Sequence, residues 1–150
     1  MTRKCPFCLL EHASERPLFE TQLCPVVLFH PRLMRGHLLI IPIRHVERLA
    51  ELTIAERADL IETATHFQEK ILAFLAKGCD LAIHYRPFQK EDGLKINHLH
   101  MHLQPRELFD DLYQKSQKYE TDLFKPLSLM EHTRLKKLLG DSKLADNRLE

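Results

Sequence analysis

The stretch His98-Leu99-His100-Met101-His102-Leu103-Gln104 alternates three histidines with three large apolar residues. Side chains of a β-strand alternate between two faces, so a strand would place the three imidazoles in one row and the apolar residues in the other. A helix would scatter the imidazoles around its axis, because residues two apart do not share a helix face. The spacing therefore predicts a strand with one histidine face and one core face.

A row of three imidazoles is typical of metal ligation or of acid, base or nucleophile chemistry. An edge strand that merely happens to be rich in histidine is the alternative without function. At about 3.3 Å per residue, the three side chains spread over about 13 Å of strand. That span is too long for all three to bind one ion, so a catalytic metal held by the triplet is disfavoured.

The triplet, together with Gly36-His37-Leu38-Leu39-Ile40-Ile41-Pro42-Ile43-Arg44-His45, resembles the histidine-triad (HIT) superfamily of nucleotide hydrolases and transferases. The family pattern repeats histidine and an apolar residue three times and ends on another apolar residue, where this chain has Gln104. The likeness covers roughly residues 5 to 106. We expect an α+β fold of the HIT kind, with an antiparallel sheet of about five strands, one long helix packed on it and C-terminal helices. The resemblance also implies a homodimer.

Local signals predict the positions of the elements. Strands are expected at 17–21, 25–29, 37–43 and 80–88, and the last of these forms a hairpin with the histidine strand. A long helix is predicted from Ile54 to Lys77, because Thr53 and Glu56 form a capping box and Gly78 gives a stop. Further helices are expected at 107–119 and from Ser128 to Gly140. Residues 1–106 are expected to form the HIT-like core, and 107–150 a helical extension of the same domain with a polar tail.

The resemblance implies a role for each histidine of the triplet. The middle histidine of the family is the nucleophile, and His100 stands at that position. Its neutral imidazole, with an ordinary pKa of about 6.5, would attack the α-phosphorus of a nucleotide and form a covalent intermediate. His102 is implied to donate a hydrogen bond to the phosphate under attack. His98 completes the predicted catalytic row and is implied to be a metal ligand that takes no part in the reaction.

The pair in Cys5-Pro6-Phe7-Cys8 could be a redox couple, half of a zinc site or incidental. A thioredoxin-like pair would follow a strand, and no strand is predicted before residue 5, so zinc is favoured. In a zinc-containing bacterial-type subset of the family, the other ligands are the histidine after the Gly-His…Pro strand and the first triad histidine. The resemblance thus implies structural zinc on Cys5, Cys8, His45 and His98, with His12 as an alternative to His45. No organic cofactor is expected.

Nucleotide-binding residues are also implied by the resemblance. His30 falls where relatives usually have Asn or Asp for the ribose hydroxyls, and Phe29 would line the base pocket, although a strand-end Phe is more often core. Many relatives have a polar Gly-Gln-Ser-like segment before the triplet, whereas this chain has Gly93-Leu94-Lys95-Ile96-Asn97. The leucine cannot hydrogen-bond. Lys95 could supply charge and Asn97 could orient an oxygen, or both could be solvated loop residues.

Several basic residues adjoin the triplet in sequence or across the predicted hairpin: Arg86, Lys90, Lys95 and Arg106. Together they would create a local positive field that attracts polyphosphate, and scattered surface charge is the alternative. His37, at the Gly-His position of the family strand, is expected to be a hydrogen-bonded structural residue.

Whole-chain properties limit the classes of protein. A chain of 150 residues is long enough for one domain. Its net charge of +1 argues against a broadly basic surface, so no nucleic-acid partner is expected. No run of about 20 apolar residues occurs, so no membrane partner is expected, and a polar N-terminus with a cysteine pair does not fit a signal peptide. The expected location is the cytoplasm.

The sequence therefore favours a nucleotidyl hydrolase or transferase that acts through His100 on a nucleoside phosphate derivative, such as a dinucleoside polyphosphate or a nucleoside phosphoramidate. The alternative is a zinc-stabilised nucleotide-binding or sensing module with little turnover. The replaced polar loop before the triplet favours this alternative.

Overall fold

The structure, a computed structural model, describes residues 5–12, 17–92 and 94–140, without the side chains of 10–12. The chain divides into two compact units, Met1–Asp110 and Asp111–Glu150. A 3-10 helix at Phe7–His12, a β-sheet and the long helix α1 (Ile54–Phe74) belong to the first unit. The second unit contains α2 (Asp111–Lys115), a 3-10 segment (Gln117–Leu123) and α3 (Leu129–Leu139).

The sheet of the first unit is antiparallel, which confirms the α+β prediction. Its strands are β1 (Val26–Leu28), β2 (Leu38–Ile40), β3 (Gly78–Ile83) and β4 (Met101–Arg106), in the order β1-β2-β4-β3. The described residues thus form four sheet strands rather than five. The predicted strand at 17–21 is reduced to one bridge between Phe19 and Val26. Proline at position 17 contributes to this difference, because it has no N–H to donate to a neighbouring strand.

The histidine stretch alternates between two faces as predicted, but its regular pairing starts later. Strand β4 begins at Met101, so His98 and His100 lie in the extended segment that leads into it. The N–H of Leu99 donates to the carbonyl of Val46 at 2.6 Å and fixes this segment beside the chain that follows β2. The three apolar residues of the stretch are buried in the main core cluster, which confirms the predicted core face.

Helix α1 covers the core face of the sheet, where Leu60, Phe67 and Ile71 are buried against the apolar residues of β2 and β4. Its predicted capping box is present: the hydroxyl of Thr53 accepts from the N–H of Glu56 at 3.1 Å, and the carboxylate of Glu56 accepts from the N–H of Thr53 at 2.8 Å. These bonds satisfy N–H groups that the first turn of a helix leaves unpaired.

Several predicted boundaries were wrong. Helix α1 ends before the predicted Lys77, because the N–H groups of Leu75 and Ala76 both turn back to the carbonyl of Ile71 at 2.9 and 3.0 Å. Gly78 opens β3 instead of ending the helix, and β3 ends at Ile83 instead of residue 88.

The helix predicted at 107–119 was also wrong in extent. A turn comes first, in which the N–H of Asp110 donates to the carbonyl of Glu107 at 3.2 Å and the carboxylate of Asp110 accepts from the N–H of Glu107 at 3.2 Å. Helix α3 lies close to its prediction, with Ser128 accepting from the N–H of Glu131 at 3.1 Å and Gly140 as its C-cap. That residues 107–150 extend the same domain stays a prediction.

Replacing Thr53 by alanine should lower the free energy of unfolding by roughly 1 kcal/mol, because the N-cap hydroxyl is lost. Unfolding in urea, followed by circular dichroism, measures this change in the free energy of unfolding. Thr65→Ala is the matched control: Thr65 is exposed on the same helix, and its hydroxyl only bonds the carbonyl of Ile61 at 2.9 Å. Equal losses in the two variants would contradict the assigned capping role.

Candidate functional site

A cavity of about 810 Å³ opens on the histidine face of the sheet. All three histidines of the triplet contribute to its wall, together with His37 from the chain before β2 and His84 from the chain after β3. The sheet register explains this convergence, because β2 and β3 both pair with β4, from its two sides. The predicted row of imidazoles therefore faces one cavity.

The position of the proton on His100 follows from one hydrogen bond. Its Nδ1 lies 2.7 Å from the backbone carbonyl of His98, which can only accept, so Nδ1 carries the hydrogen. The neutral ring then has an unprotonated Nε2 with a free lone pair. Burial lowers the pKa of His100 below its ordinary value and keeps the ring neutral. His100 can therefore serve as a nitrogen nucleophile.

His102 takes the opposite tautomer through a chain of hydrogen bonds. The N–H of Leu33 donates to Nδ1 of His37 at 3.4 Å, so the hydrogen of His37 is on Nε2. That Nε2–H donates to Nδ1 of His102 at 2.9 Å, which leaves the hydrogen of His102 on its own Nε2. His102 is thus a neutral donor. His37 is buried and hydrogen-bonded, as predicted, and its structural role stays a prediction.

Burial is the main reason that these two rings stay neutral. It lowers the pKa of His37 to about 4, with a further contribution from His100. It lowers the pKa of His102 to about 3, with contributions from His100, His37 and His84. Both imidazoles are therefore uncharged at neutral pH, as the hydrogen-bond chain requires.

The predicted base-pocket residue Phe29 lines the cavity and packs edge-on against His37 and His102, with centroid distances of 4.8 and 5.7 Å. His30, predicted to bind ribose, is exposed, and its side chain does not join the described cavity wall. Its neighbours Phe29 and Pro31 do. A contact between His30 and ribose stays a prediction.

The cluster predicted to hold zinc is assembled beside the cavity. Nε2 of His98 donates to the carbonyl of Pro42 at 2.8 Å, so Nδ1 of His98 is unprotonated. This Nδ1 lies 3.4 Å from Sγ of Cys5 and 3.6 Å from Sγ of Cys8. Nδ1 of His45 lies 3.3 Å from Sγ of Cys8, and all four ligand atoms are within 4.8 Å of one another.

The three pair distances of 3.3, 3.4 and 3.6 Å are close to those expected around a tetrahedral zinc ion. With Zn–S bonds of about 2.3 Å and Zn–N bonds of about 2.1 Å, tetrahedral ligand atoms lie about 3.4–3.8 Å apart. Two thiolates and two imidazoles are also a ligand set typical of structural zinc. The side chain of His12, the alternative to His45, lies outside the described residues.

The segment that contains the cysteine pair also touches the triplet. Phe7, between Cys5 and Cys8 in sequence, packs edge-on against His98 and His100, with centroid distances of 5.9 and 5.1 Å. The cluster predicted to hold zinc and the ring of His100 are therefore linked through one aromatic side chain.

The loop before the triplet supplies polar groups to the cavity. Lys95 and Asn97 both line it, and Nζ of Lys95 donates to Oδ1 of Asn97 at 2.9 Å and to the carbonyl of Gln89 at 2.6 Å. The predicted positive field needs one correction. Arg106 does not line the cavity, because its guanidinium forms ion pairs with Asp80 and Asp110.

Sequence reasoning missed His84. In the register of β3 and β4, Ala82 pairs with His102, so His84 continues to a position opposite His100. Its ring lies 5.4 Å from that of His102, and Arg86 donates to its Nδ1 at 3.4 Å. Burial, and then the charge of Arg86, lower the pKa of His84. Applying the two-residue alternation of β4 to its hairpin partner would have identified it.

An antiparallel sheet with a row of histidines facing a cavity defines the class of histidine-triad proteins. The model of the HIT domain family matches residues 12–108, and this chain belongs to that family.

Individual relatives agree with this assignment. The chain is 37% identical over 86 residues to the nitrilase and fragile histidine triad fusion protein NitFhit of Caenorhabditis elegans. The aligned region covers 53% of this chain and 19% of that protein. The chain thus spans less than two thirds of this curated relative.

Solved structures share the fold. A HIT family protein from Bacillus anthracis has a TM-score of 0.70 at 19% identity, covering 95% of this chain and 99% of that one. A Zn-bound histidine triad family protein from Mycobacterium smegmatis has a TM-score of 0.62 at 24% identity, covering 73% and 79%. Within the described ranges, no helix has the length and apolar character that a membrane span requires.

Acid should destabilise the first unit through its buried histidines. The unfolded chain titrates near the ordinary histidine pKa of 6.5, whereas folded His37 titrates at about 4. Between these values the unfolded state binds more protons, so the contribution of His37 to stability falls as the pH is lowered through this window and is constant above it. In His37→Gln, the slope of unfolding free energy against pH should decrease by about 1.4 kcal/mol per unit within the window.

Urea denaturation at several pH values measures this slope. His66→Gln is the control, since His66 is exposed on α1, and it should retain the wild-type slope. Parallel curves for His37→Gln and wild type would contradict the assigned linkage.

Proposed function

We propose that this chain is a nucleotidyl hydrolase or transferase that acts on a nucleoside phosphate derivative through a covalent nucleotidyl-histidine intermediate on His100. The observation that carries the proposal is the hydrogen bond from Nδ1 of His100 to the carbonyl of His98, which leaves a lone pair on Nε2 of a ring in the cavity wall. Membership in the HIT family supports it. So does the likeness, at a TM-score of 0.56, to a HIT family hydrolase from Legionella pneumophila.

In the first step, Nε2 of His100 attacks the α-phosphorus. A nitrogen–phosphorus bond forms, and the bond from phosphorus to the leaving group breaks, with its electron pair departing on the leaving group. The imidazole ring becomes positively charged, and the carbonyl of His98, already bonded to Nδ1, stabilises that charge. The Nε2–H of His102 can donate to a nonbridging oxygen of the phosphate, where negative charge is spread.

In the second step, water attacks the same phosphorus. Its oxygen forms the new bond, the electron pair of the nitrogen–phosphorus bond returns to Nε2, and a water proton is released. The products are a nucleoside monophosphate and neutral His100. In a transferase, the oxygen of another acceptor would replace water. Two displacements with lower activation barriers then replace one displacement with a high barrier.

Substrate contacts follow from the cavity wall. The ring of Phe29 offers an aromatic surface to the base, while Lys95 and Asn97 can bind phosphate or sugar oxygens from the loop before the triplet. His30 is proposed to reach the ribose from the edge of the site. A cytoplasmic homodimer is the expected setting for this activity.

We assign a structural zinc site to Cys5, Cys8, His45 and His98, on the ligand distances given above. The M. smegmatis structural relative is Zn-bound, which supports the choice of metal. Bound zinc would cross-link the cysteine pair to the segments before β4 and after β2 and would neutralise the thiolates. The orientation of the His98 ring is also fixed without metal, because its Nε2 donates to the carbonyl of Pro42.

The second candidate is a zinc-stabilised nucleotide-binding or sensing module. One observation favours it: Leu94, at the position of a polar residue in many relatives, lines the cavity and offers no hydrogen bond there. Binding of AMP or GMP without product formation from any offered substrate would support this candidate over the enzyme.

His100→Ala should reduce turnover by at least about 10³-fold, because a covalent mechanism depends on its nucleophile. The assays offer adenosine phosphoramidate, diadenosine polyphosphates and nucleotide sugars, and α-³²P-labelled substrate tests for label on the protein. His66→Ala, exposed on α1, is the matched control and should retain wild-type turnover and labelling. Unchanged turnover in His100→Ala would rule out the assigned nucleophile.

Protein purified without added metal should contain near-stoichiometric zinc by elemental analysis. Cys5→Ser and Cys8→Ser should lose most of it, since each removes one of the proposed four ligands. Cys79→Ser is the control, because Cys79 lies in β3 and is not part of the cluster. Zinc-free protein with freely titratable thiols at positions 5 and 8 would refute the site.

A further inference from the structure

Three cations line the cavity from one segment of the chain. Arg86, Lys90 and Lys95 all lie between β3 and β4, and each contributes to the cavity wall. The segment begins at His84, opposite the nucleophile in the strand register, and ends at the triplet itself. A fourth cation of the wall, Arg32, comes from the chain between β1 and β2. The positive charge is therefore concentrated on the side of the cavity that adjoins the triplet, without being confined to it.

These cations are not neutralised by ion pairs. In the part of the chain that the structure describes, the ion-paired basic residues are Arg44, Arg48 and Arg106, none of which lines the cavity. Two carboxylates, Glu47 and Asp92, also belong to the wall. Asp92 accepts from the N–H groups of Leu94 and Lys95 at 3.0 and 2.8 Å, so it stabilises its own loop. The cavity thus retains excess positive charge.

Two of the cations are held in place by uncharged partners. Nζ of Lys95 donates to the carbonyl of Gln89 and to Oδ1 of Asn97, at 2.6 and 2.9 Å. An ammonium group has three N–H donors, so one remains for a ligand. The guanidinium of Arg86 contacts Nδ1 of His84 at 3.4 Å and has further N–H groups to donate. Such fixed cations lose little freedom when they bind an anion.

We infer that Arg86, Lys90 and Lys95 form a subsite for an anionic leaving group. The preferred substrate is then a nucleotide whose departing group is itself a phosphate or polyphosphate, rather than an uncharged amine. This inference rests on the proposed function, and it selects one substrate class among those that the nucleophile could attack.

The chemistry of departure explains why the cations matter. When Nε2 of His100 attacks the α-phosphorus, the bond to the bridging oxygen breaks, and its electron pair stays on that oxygen of the leaving phosphate. Negative charge on the leaving group therefore increases in the transition state. Cations fixed beside this group stabilise the transition state more than the bound substrate, which accelerates the reaction. An amine leaving group develops no comparable anionic charge spread over phosphate oxygens.

The test compares two substrates that share an adenylyl group, diadenosine tetraphosphate and adenosine phosphoramidate. Arg86→Ala and Lys90→Ala should each lower kcat/KM for the tetraphosphate by about tenfold or more, the usual effect of losing a charged hydrogen bond. The same variants should change kcat/KM for the phosphoramidate by less than about twofold. Arg86→Lys should recover part of the loss, and Lys70→Ala, exposed on α1, should behave as wild type with both substrates.

Calorimetry of inorganic tripolyphosphate binding gives a second measurement that needs no turnover. Arg86→Ala should weaken it about tenfold, and Lys70→Ala should leave it unchanged. Equal losses on both substrates, or unchanged tripolyphosphate binding in Arg86→Ala and Lys90→Ala, would overturn the subsite. Retained turnover in His100→Ala, run in the same assays, would instead reject the proposed nucleophile, so the two failures are distinguishable.

Discussion

Backbone groups determine which ring nitrogen of each histidine is available. The carbonyl of Pro42 holds Nε2 of His98 and leaves Nδ1 toward the two thiols, while the carbonyl of His98 holds Nδ1 of His100 and leaves Nε2 with its lone pair. The N–H of Leu33 sets the third tautomer, because it donates to His37 and thereby makes His102 a donor. One short stretch therefore presents three imidazoles that differ in which ring nitrogen carries the hydrogen and which is available.

The pairing of β2 with β4 brings these groups together. Because Ile40 lies opposite Met101, the chain that follows β2 runs beside the chain that precedes β4, and His45 meets His98 there. At the other end of β2, His37 reaches His102 diagonally across the same face. One register therefore assembles both the proposed metal ligands and the cavity wall. A slip by one residue would exchange the histidine and core faces of β4.

Much of this arrangement could be predicted from the alternation of histidine and apolar residues. It identified the core face of β4 and the shared row of imidazoles, and the family resemblance added the four residues that cluster as a candidate metal site. His84 and Arg106 show the limit of such reasoning. The place of His84 depends on the pairing of β3 with β4. Arg106 is kept out of the cavity wall by ion pairs with Asp80 and Asp110, which no local pattern reveals. Strand ends were missed for a similar reason, since hydrogen bonds such as Leu99 to Val46 form between remote segments.

The contact of Phe7 with His98 and His100 has a consequence for synthesis of the chain. Cys5 and His98 are separated by 93 positions, whereas Cys8 and His45 are only 37 apart, so the ribosome produces His45 early and His98 late. Until almost the whole first unit has been translated, Phe7 has neither His98 nor His100 to pack against. A nascent chain halted shortly before position 98 therefore contains both thiols and His45 but none of the three histidines of the triplet.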